Sequence, residues 1–458
     1  MSLASIDLFH VLAALAVLLT VAHAGGLLAQ RIGIPPMVGE LVGGLLLGAT
    51  VLDRIWPDAK QWLFPSVPAD GPIPAVIPVL AFCSQLGLLL LMFIGGMGMR
   101  RLVRRSDLRP VAWISTLGVA VPVVFGLVVL QFADFAEYQG PAKALTSLHI
   151  VLLAALAVTS IPVITRIFID LGLMETRLAR IVLSVAVLED VLLYVGISVA
   201  VGLASGKASE DASIPAFIGL DPSGPAYIAW HVCASFALLI GVTLGVRHVA
   251  IQRKLKPGPS SASRNPIARR SPLGWTVALL FCVTLVAMLL GLAPIFGALV
   301  AGIAASYELR EEFVAARRAI ENFAMATFVP VYFALVGVGL DLIDGFDWKF
   351  TVGLLLVGTL VKYSSSLLGA RLAGETPAMA RALAVSVNAR GGPGIVLATT
   401  ALAAGIVDQR TYSALIILAI ATSVIAGVWL ATMLRRDEET AAMLRSSNAT
   451  PPRTKVVA

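Results

Sequence analysis

Two adjacent carboxylates, Glu189 and Asp190, stand in the middle of an otherwise apolar run, IVLSVAVLEDVLLYVGISVAV. An ionisable side chain at the centre of a bilayer costs about 2.5–3.5 kcal/mol on insertion scales, so a pair there implies a partner or a task. Successive helix residues point about 100° apart, because a turn holds 3.6 residues. The two carboxylates therefore face different ways: one can line a cation path while the other meets a partner. The competing reading is a buried ion-pair network that only fixes helix packing, and it weighs more for Glu189 alone than for the pair. Lys362, within GLLLVGTLVKYSSSLLG, needs a carboxylate partner or must lose its proton. The obvious partner is a member of the Glu189–Asp190 pair, and the alternative is snorkelling of the lysine stem to an interface.

Neutral oxygens gather at a second place. In LAVTSIPVITRI, Pro162 has no N–H and leaves the carbonyl of Val158 without its helical donor. Thr159 and Ser160 add hydroxyls at the same level, and such a cluster suits a desolvated hard cation. In VSVNARGGPGIVLA, the run Gly391, Gly392, Pro393, Gly394 cannot sustain a regular helix. Pro393 is expected to free the carbonyl of Ala389, with Asn388 and Arg390 bringing polarity to the break. The five histidines occur singly, with no triad or phosphate loop, so no enzymatic activity is expected. Glu40, near the start of a short span, reads as structural or interfacial. Cys83, Cys233 and Cys282 lie far apart in or beside apolar stretches, without metal-ligand spacing, and read as packing residues.

These groups must be positioned by membrane helices. The 458 residues are 58% hydrophobic and 13% charged, with mean hydropathy +0.91, against roughly 25% charged in a soluble domain. The net charge of +7 is explained by basic residues biased into cytoplasmic loops rather than by a nucleic-acid partner. Counting apolar stretches of about 17–25 residues predicts thirteen spans. The second (36–50) and ninth (293–306) are short, and the fifth (147–169) and twelfth (380–403) are interrupted by Pro and Gly. The carboxylates sit in the sixth (178–204) and Lys362 in the eleventh (350–372). The first stretch, from Leu8 to Leu28, lacks the basic flank of a signal peptide and is kept as a span. With the N-terminus outside, 26 of the 34 Lys and Arg fall in inside segments and six outside, leaving Lys362 and Arg390 in the membrane. The basic, Pro- and Ser-rich loop from Arg247 to Ser271 reads as a linker between halves. The tail after Leu434 is short and polar, so no nucleotide-binding regulatory domain is expected within the chain.

An internal repeat organises the spans. Pro36–Gly44 reads PMVGELVGG and Pro294–Gly302 reads PIFGALVAG, agreeing at five of nine positions. The short spans are seven apart in order, and so are the broken ones. Seven is odd, so the copies run through the membrane in opposite directions. Inverted repeats with broken helices characterise secondary transporters, whose substrate site lies near the midplane.

GIPPMVGELVGGLLLGA, VTSIPV, LED and the ARG of NARGGPG, completed by Lys362, resemble the monovalent cation:proton antiporter superfamily. The resemblance covers about residues 5–435 and is nearest to the branch of bacterial Na⁺/H⁺ antiporters and the membrane part of glutathione-gated K⁺ efflux systems. It implies an all-α membrane protein of about thirteen transmembrane helices, in two inverted-topology repeats with crossed discontinuous helices. It further implies scaffold and dimerisation helices over 1–109, ion-carrying helices over 110–205, a linker helix and scaffold over 206–340, ion-carrying helices over 341–435, and a cytoplasmic tail over 436–458. Asp190 matches the aspartate that binds cation and proton in turn. Thr159 and Ser160 match residues beside the crossover, and Lys362 matches a lysine paired with an acid in electrogenic members. Glu189 stands where Asp, Asn or Gln is usual, and Gly392 where Glu often follows ARG; both bear on stoichiometry and ion choice.

The expectation is therefore exchange of Na⁺ or K⁺ for H⁺ by alternating access, with Asp190 as the metal ligand and no cofactor. The partners expected are membrane lipid and a second copy of the chain, in an inner membrane with the C-terminus cytoplasmic. The alternatives are a Na⁺-coupled organic-anion transporter of a related inverted-repeat fold, and a cation channel. A channel would call for a selectivity filter or rings of carboxylates, and neither is seen.

Overall fold

The computed structural model describes residues 5–65, 73–98, 105–174, 176–205, 213–221, 224–255, 268, 270–308, 310–344, 346–436 and 442. Its long helices are α1 (Ser5–Arg31), α2 (Pro36–Leu47), α3 (Val76–Gly98), α4 (Leu108–Phe132), α5 (Leu145–Ala157), α6 (Ile161–Asp170), α7 (Arg177–Ser205) and α8 (Pro225–Leu255). They continue as α9 (Pro272–Leu289), α10 (Pro294–Ser306), α11 (Glu311–Ala326), α12 (Phe328–Val338), α13 (Trp348–Leu372), α14 (Pro377–Ser386), α15 (Gly391–Ala403) and α16 (Gln409–Arg436). Among the described residues the β pairing is a single antiparallel bridge, Gln139 to Val407.

Many helix starts are written locally. Pro36, Pro272, Pro294 and Pro377 open α2, α9, α10 and α14, where the missing N–H would have no intrahelical partner anyway. Ser271, Asp347 and Thr376 cap α9, α13 and α14 by accepting hydrogen bonds from first-turn N–H groups.

Every expected span falls on a helix or a pair of helices. Among the described residues, ten helical stretches are long and apolar enough to cross a membrane by length and composition. The fifth, ninth and twelfth expected spans are not in that set. The ninth is α10, only 13 residues long, and the other two are split into α5 with α6 and α14 with α15. The tenth is split as well, where α11 and α12 meet at Thr327. The expected linker lies outside the described residues over 256–267 and 269, as does the tail beyond 436 except residue 442.

The helices form two units. The first comprises Met1–Arg100 and Ser205–Phe346. Here the sequence repeat has a packing meaning. Gly44 of α2 lies against the carbonyl of Ala334 on α12, and its repeat mate Gly302 of α10 lies against the carbonyl of Phe93 on α3; a Cβ at either glycine would overlap that backbone. Gly39 meets Gly25 of α1 in the same way, and a Cβ on its mate Gly297 would come within 2.7 Å of Thr284 on α9. Each short helix thus packs on its own repeat's first helix and on the other repeat's third. Helix α10 is buried from Ile295 to Ser306, which accounts for its unbroken apolar sequence. Cys83 packs with Leu18, Leu80 and Val331, whereas Cys233 and Cys282 lie on the exposed surface of the chain.

The second unit comprises Arg101–Ala204 and Asp347–Ala458. It holds α4, α5, α6 and α7 with α13, α14, α15 and α16. Leu145 and Pro377 start the first half-helices, and Arg177 and Gln409 start the helices that follow the breaks. Both pairs are separated by 232 residues. The unit is closed at both ends of α4. Beyond Phe132, the Tyr138 hydroxyl donates to Asp347 at 3.1 Å, and the backbone of Gly140 and Ala142 pairs with Ile406 and Gly405. At the Leu108 end, Arg177 clasps Glu375 through two 2.7 Å bonds, and Asp107 accepts from both Arg177 and Arg180 at 3.2 Å.

Candidate ion-binding site

Both breaks lie in the second unit, and they interlock. Helix α5 stops because Val158 turns extended (φ −77°, ψ 147°), and the chain resumes as α6 at Ile161. The N–H of Ser160 donates to the carbonyl of Ala389 at 2.6 Å, and the Thr159 hydroxyl donates to the carbonyl of Val387. The Ser160 hydroxyl oxygen accepts from the N–H of Gly392 at 3.2 Å and of Val163 at 3.4 Å. Gly391 has φ +27° and touches Val163 so closely that a Cβ would overlap its side chain; glycine is required at this crossing point.

Two expectations are corrected here. Pro162 and Pro393 do not interrupt running helices but stand in the first turns of α6 and α15, where an absent N–H costs nothing. Their action on the carbonyls four residues earlier is accordingly not what frees oxygen at the breaks. The Ala389 carbonyl accepts from Ser160, so it is a strut of the crossover rather than a vacant ligand.

The C-terminal carbonyls of α5 form the negative end of a helix dipole inside apolar surroundings. Two cations satisfy them. Arg390 donates from Nε to Ala155 at 2.8 Å and from Nη2 to Leu156 at 3.1 Å. Nη2 also reaches Gly358 at 2.7 Å, and Nη1 reaches the Asn388 side chain at 2.7 Å. Asn388 in turn donates to Thr359 at 3.1 Å. Lys362 donates to Ala157 at 2.5 Å and to Gly118 at 3.0 Å. Its third donor meets Glu189 Oε1 at 2.6 Å, with both side chains buried. Of the two carboxylates, Glu189 is therefore the partner of Lys362, and snorkelling of the lysine does not occur.

Asp190 differs from its neighbour. It is 1% exposed, makes no ion pair among the described residues, and its Oδ1 has no hydrogen-bond partner among them. Glu189 Oε2 is likewise buried, with no hydrogen-bond partner within bonding geometry among the described residues. Glu189 lines a cavity of about 190 Å³ whose other walls are apolar, among them Val119, Leu153, Ala157 and Leu192. The sequence-derived residues Val158, Thr159, Ser160, Glu189, Asn388, Ala389, Arg390, Gly391 and Lys362 are thus brought together with few intermediaries. Sequence reasoning missed Asp107, Arg177, Arg180 and Glu375 as a buried network. It also missed Thr422 and Ser423, whose hydroxyls accept from the N–H groups of Arg390 and Gly391 at 3.3 and 3.1 Å. The signal for these two was a polar pair inside an apolar span.

Known proteins share this architecture. The family described as "Sodium/hydrogen exchanger, transmembrane" matches residues 15–436. The chain is 26% identical over 406 residues to K(+)/H(+) antiporter 1 of Saccharomyces cerevisiae, covering 85% of this chain but 42% of the yeast protein. It is 24% identical over 424 residues to the Na(+)/H(+) antiporter NhaS4 of Synechocystis, covering 91% of this chain and 95% of that protein. The solved sodium proton antiporter MjNhaP1 of Methanocaldococcus jannaschii superimposes with a TM-score of 0.60 at 15% identity, over 96% of this chain and 98% of that one. At that identity the likeness establishes a shared fold.

Proposed function

Because the chain belongs to the transmembrane sodium/hydrogen exchanger family, we propose that it exchanges a monovalent metal cation, Na⁺ or K⁺, for H⁺ by alternating access, with Asp190 as the shared binding group. The observation that carries this reading is the unlike state of four buried charges. Lys362 and Glu189 pair with each other and Arg390 is taken up by carbonyls and the Asn388 side chain, whereas Asp190 makes no ion pair and its Oδ1 has no hydrogen-bond partner among the described residues. A proton or a dehydrated cation removes the uncompensated negative charge that an apolar interior penalises. The six-span unit then crosses with either occupant, and the bare anion is held back. Exchange follows without a separate coupling device.

The backbone carbonyls of Thr159 and Ser160 and the Thr159 hydroxyl oxygen supplement the carboxylate as ligands, while the Ser160 hydroxyl holds the crossover by accepting from Gly392 and Val163. The Glu189–Lys362 pair has two possible uses. If cation entry separates it and Lys362 releases a proton, exchange is electrogenic; if it stays intact, exchange is one-for-one. The unit containing α1 to α3 and α8 to α12 serves as scaffold and homodimer contact. The bias of basic residues supports an orientation with the N-terminus outside and the C-terminus cytoplasmic, in an inner membrane.

Liposomes holding a pH dye and an inside-acid gradient test the reading, with Na⁺, K⁺ or Li⁺ added in turn to wild type and Asp190→Asn. Dissipation by one cation in wild type and none in the variant is the expected result. Wild type that moves no protons with any of the three, or an Asp190→Asn variant as fast as wild type, overturns it.

A further inference from the structure

The two repeats of the six-span unit are unlike at one matched position. The separation of 232 residues that relates the first half-helices and the helices after the breaks makes Thr422 of α16 the counterpart of Asp190 of α7. In the second repeat a neutral hydroxyl, followed by another on Ser423, stands where the first has a carboxylate.

Those hydroxyls have defined hydrogen-bond roles. Thr422 Oγ1 donates to the carbonyl of Leu418 at 2.8 Å and accepts from the N–H of Arg390 at 3.3 Å. Ser423 Oγ donates to the carbonyl of Ala419 at 2.6 Å and accepts from the N–H of Gly391 at 3.1 Å. Both residues are buried. Helix α15 has no cap from its own N-cap side chain, so α16 supplies the acceptors that its first N–H groups lack. A hydroxyl can donate backwards and accept forwards at once. An ionised carboxylate at 422 could only accept, and would face the Leu418 carbonyl with no proton to offer.

We infer that Thr422 and Ser423 are positioning residues of the exchange site: they fix the backbone of Arg390 and Gly391 so that the guanidinium spans the end of α5, and they keep the second repeat's counterpart of Asp190 uncharged. The inference rests on the exchange reading for its functional consequence. A guanidinium displaced from the carbonyls of Ala155, Leu156 and Gly358 leaves its positive charge unspent inside the site. That charge opposes a bound cation, so it weakens cation affinity rather than turnover.

Thr422→Val removes the hydroxyl at nearly constant volume, Ser423→Ala removes the other, and Thr422→Ser restores the first. In proteoliposomes, the KM for the transported cation should rise at least about fivefold in Thr422→Val and in Ser423→Ala, the loss of one buried hydrogen bond. Vmax per folded protein should stay within twofold, and Thr422→Ser should return KM to the wild-type range. Amide hydrogen exchange supplies a readout that needs no transport: Arg390 and Gly391 should exchange at least about tenfold faster in Thr422→Val and Ser423→Ala. An unchanged KM in both variants overturns the inference, and so does a Thr422→Ser variant as impaired as Thr422→Val. Unchanged protection at both amides also overturns it, and Ser423→Ala, which only removes an atom, serves if Thr422→Val fails to fold. Wild type that moves no protons refutes the exchange reading separately, and the amide measurement still decides the capping.

Discussion

Lys362 Nζ lies 2.6 Å from Glu189 Oε1, and the same ammonium holds the last carbonyl of α5 at Ala157. One side chain therefore satisfies a buried carboxylate and a helix end together. Removing it strands both, and a buried pair broken from one side typically loses about 3–5 kcal/mol. Lys362→Met should cost that much in unfolding measured in detergent. Glu189→Gln combined with Lys362→Met should recover a large part of it, because no isolated charge is then left. Equal losses in the single and double variants would contradict the pairing.

Arg390→Lys is expected to fail as a conservative change. The guanidinium reaches Ala155, Leu156, Gly358 and Asn388 through three nitrogens in one plane. An ammonium is a point donor and cannot span them. Losing two or more bonds to a charged donor should cost at least about 3 kcal/mol, read as a lowered thermal midpoint relative to wild type. A midpoint within 1 °C or so of wild type would show that the fork is not needed.

In the first unit, two kinds of glycine should respond oppositely. A Cβ at Gly44 overlaps the Ala334 backbone, so Gly44→Ala should destabilise by about 1–3 kcal/mol or more. Gly302→Ala should behave alike, against Phe93. Gly95 on α3 has nothing within 4 Å of its Cβ direction, and Gly95→Ala should stabilise by about 0.5–1 kcal/mol. Thermal unfolding of the three purified variants checks the contrast.

Asp347 caps α13, and the N–H of Phe350 foremost, then the Tyr138 hydroxyl and the N–H of Lys349, hold its carboxyl below the usual range. Tyr138 is pushed up to about 12 by burial and by that same hydrogen bond. A depressed carboxyl contributes stability above its unfolded value, about 3.9, and loses it as pH falls through the lower folded value. Asp347→Ala should cost about 1 kcal/mol at neutral pH, and the difference from wild type should shrink in acid, below about pH 4. A difference independent of pH between 3 and 7 would rule out the ionised cap.

Much of this was legible from residue types. Glu189, Asp190 and Lys362 stood out because charge is rare in apolar runs, and the two breaks because Pro and Gly cannot continue a helix. Which carboxylate meets Lys362 was not legible, since it depends on how α7 and α13 are rotated against one another. The assignment of freed carbonyls to Pro162 and Pro393 failed for a related reason. Sequence shows that a proline is present, but not whether it opens a helix or interrupts one. Arg177 and Arg180 were counted as loop charges that orient the chain, whereas they are bound to Asp107 and Glu375 in the interior. Their partners lie far away in sequence, so no local spacing announces the network.

The exchanged packing of the short helices has a consequence for biogenesis. Helix α2 finds the backbone groove for Gly44 on α12, and α3 receives Gly302 from α10. An N-terminal half leaving the ribosome holds a groove on α3 without its occupant and a glycine on α2 without its groove. Until the second half is threaded into the bilayer, both surfaces lack the backbone they pack against in the finished protein. The first unit is then complete only once α10 and α12 are in place, and the two halves made as separate chains would each wait, unfinished, for the other.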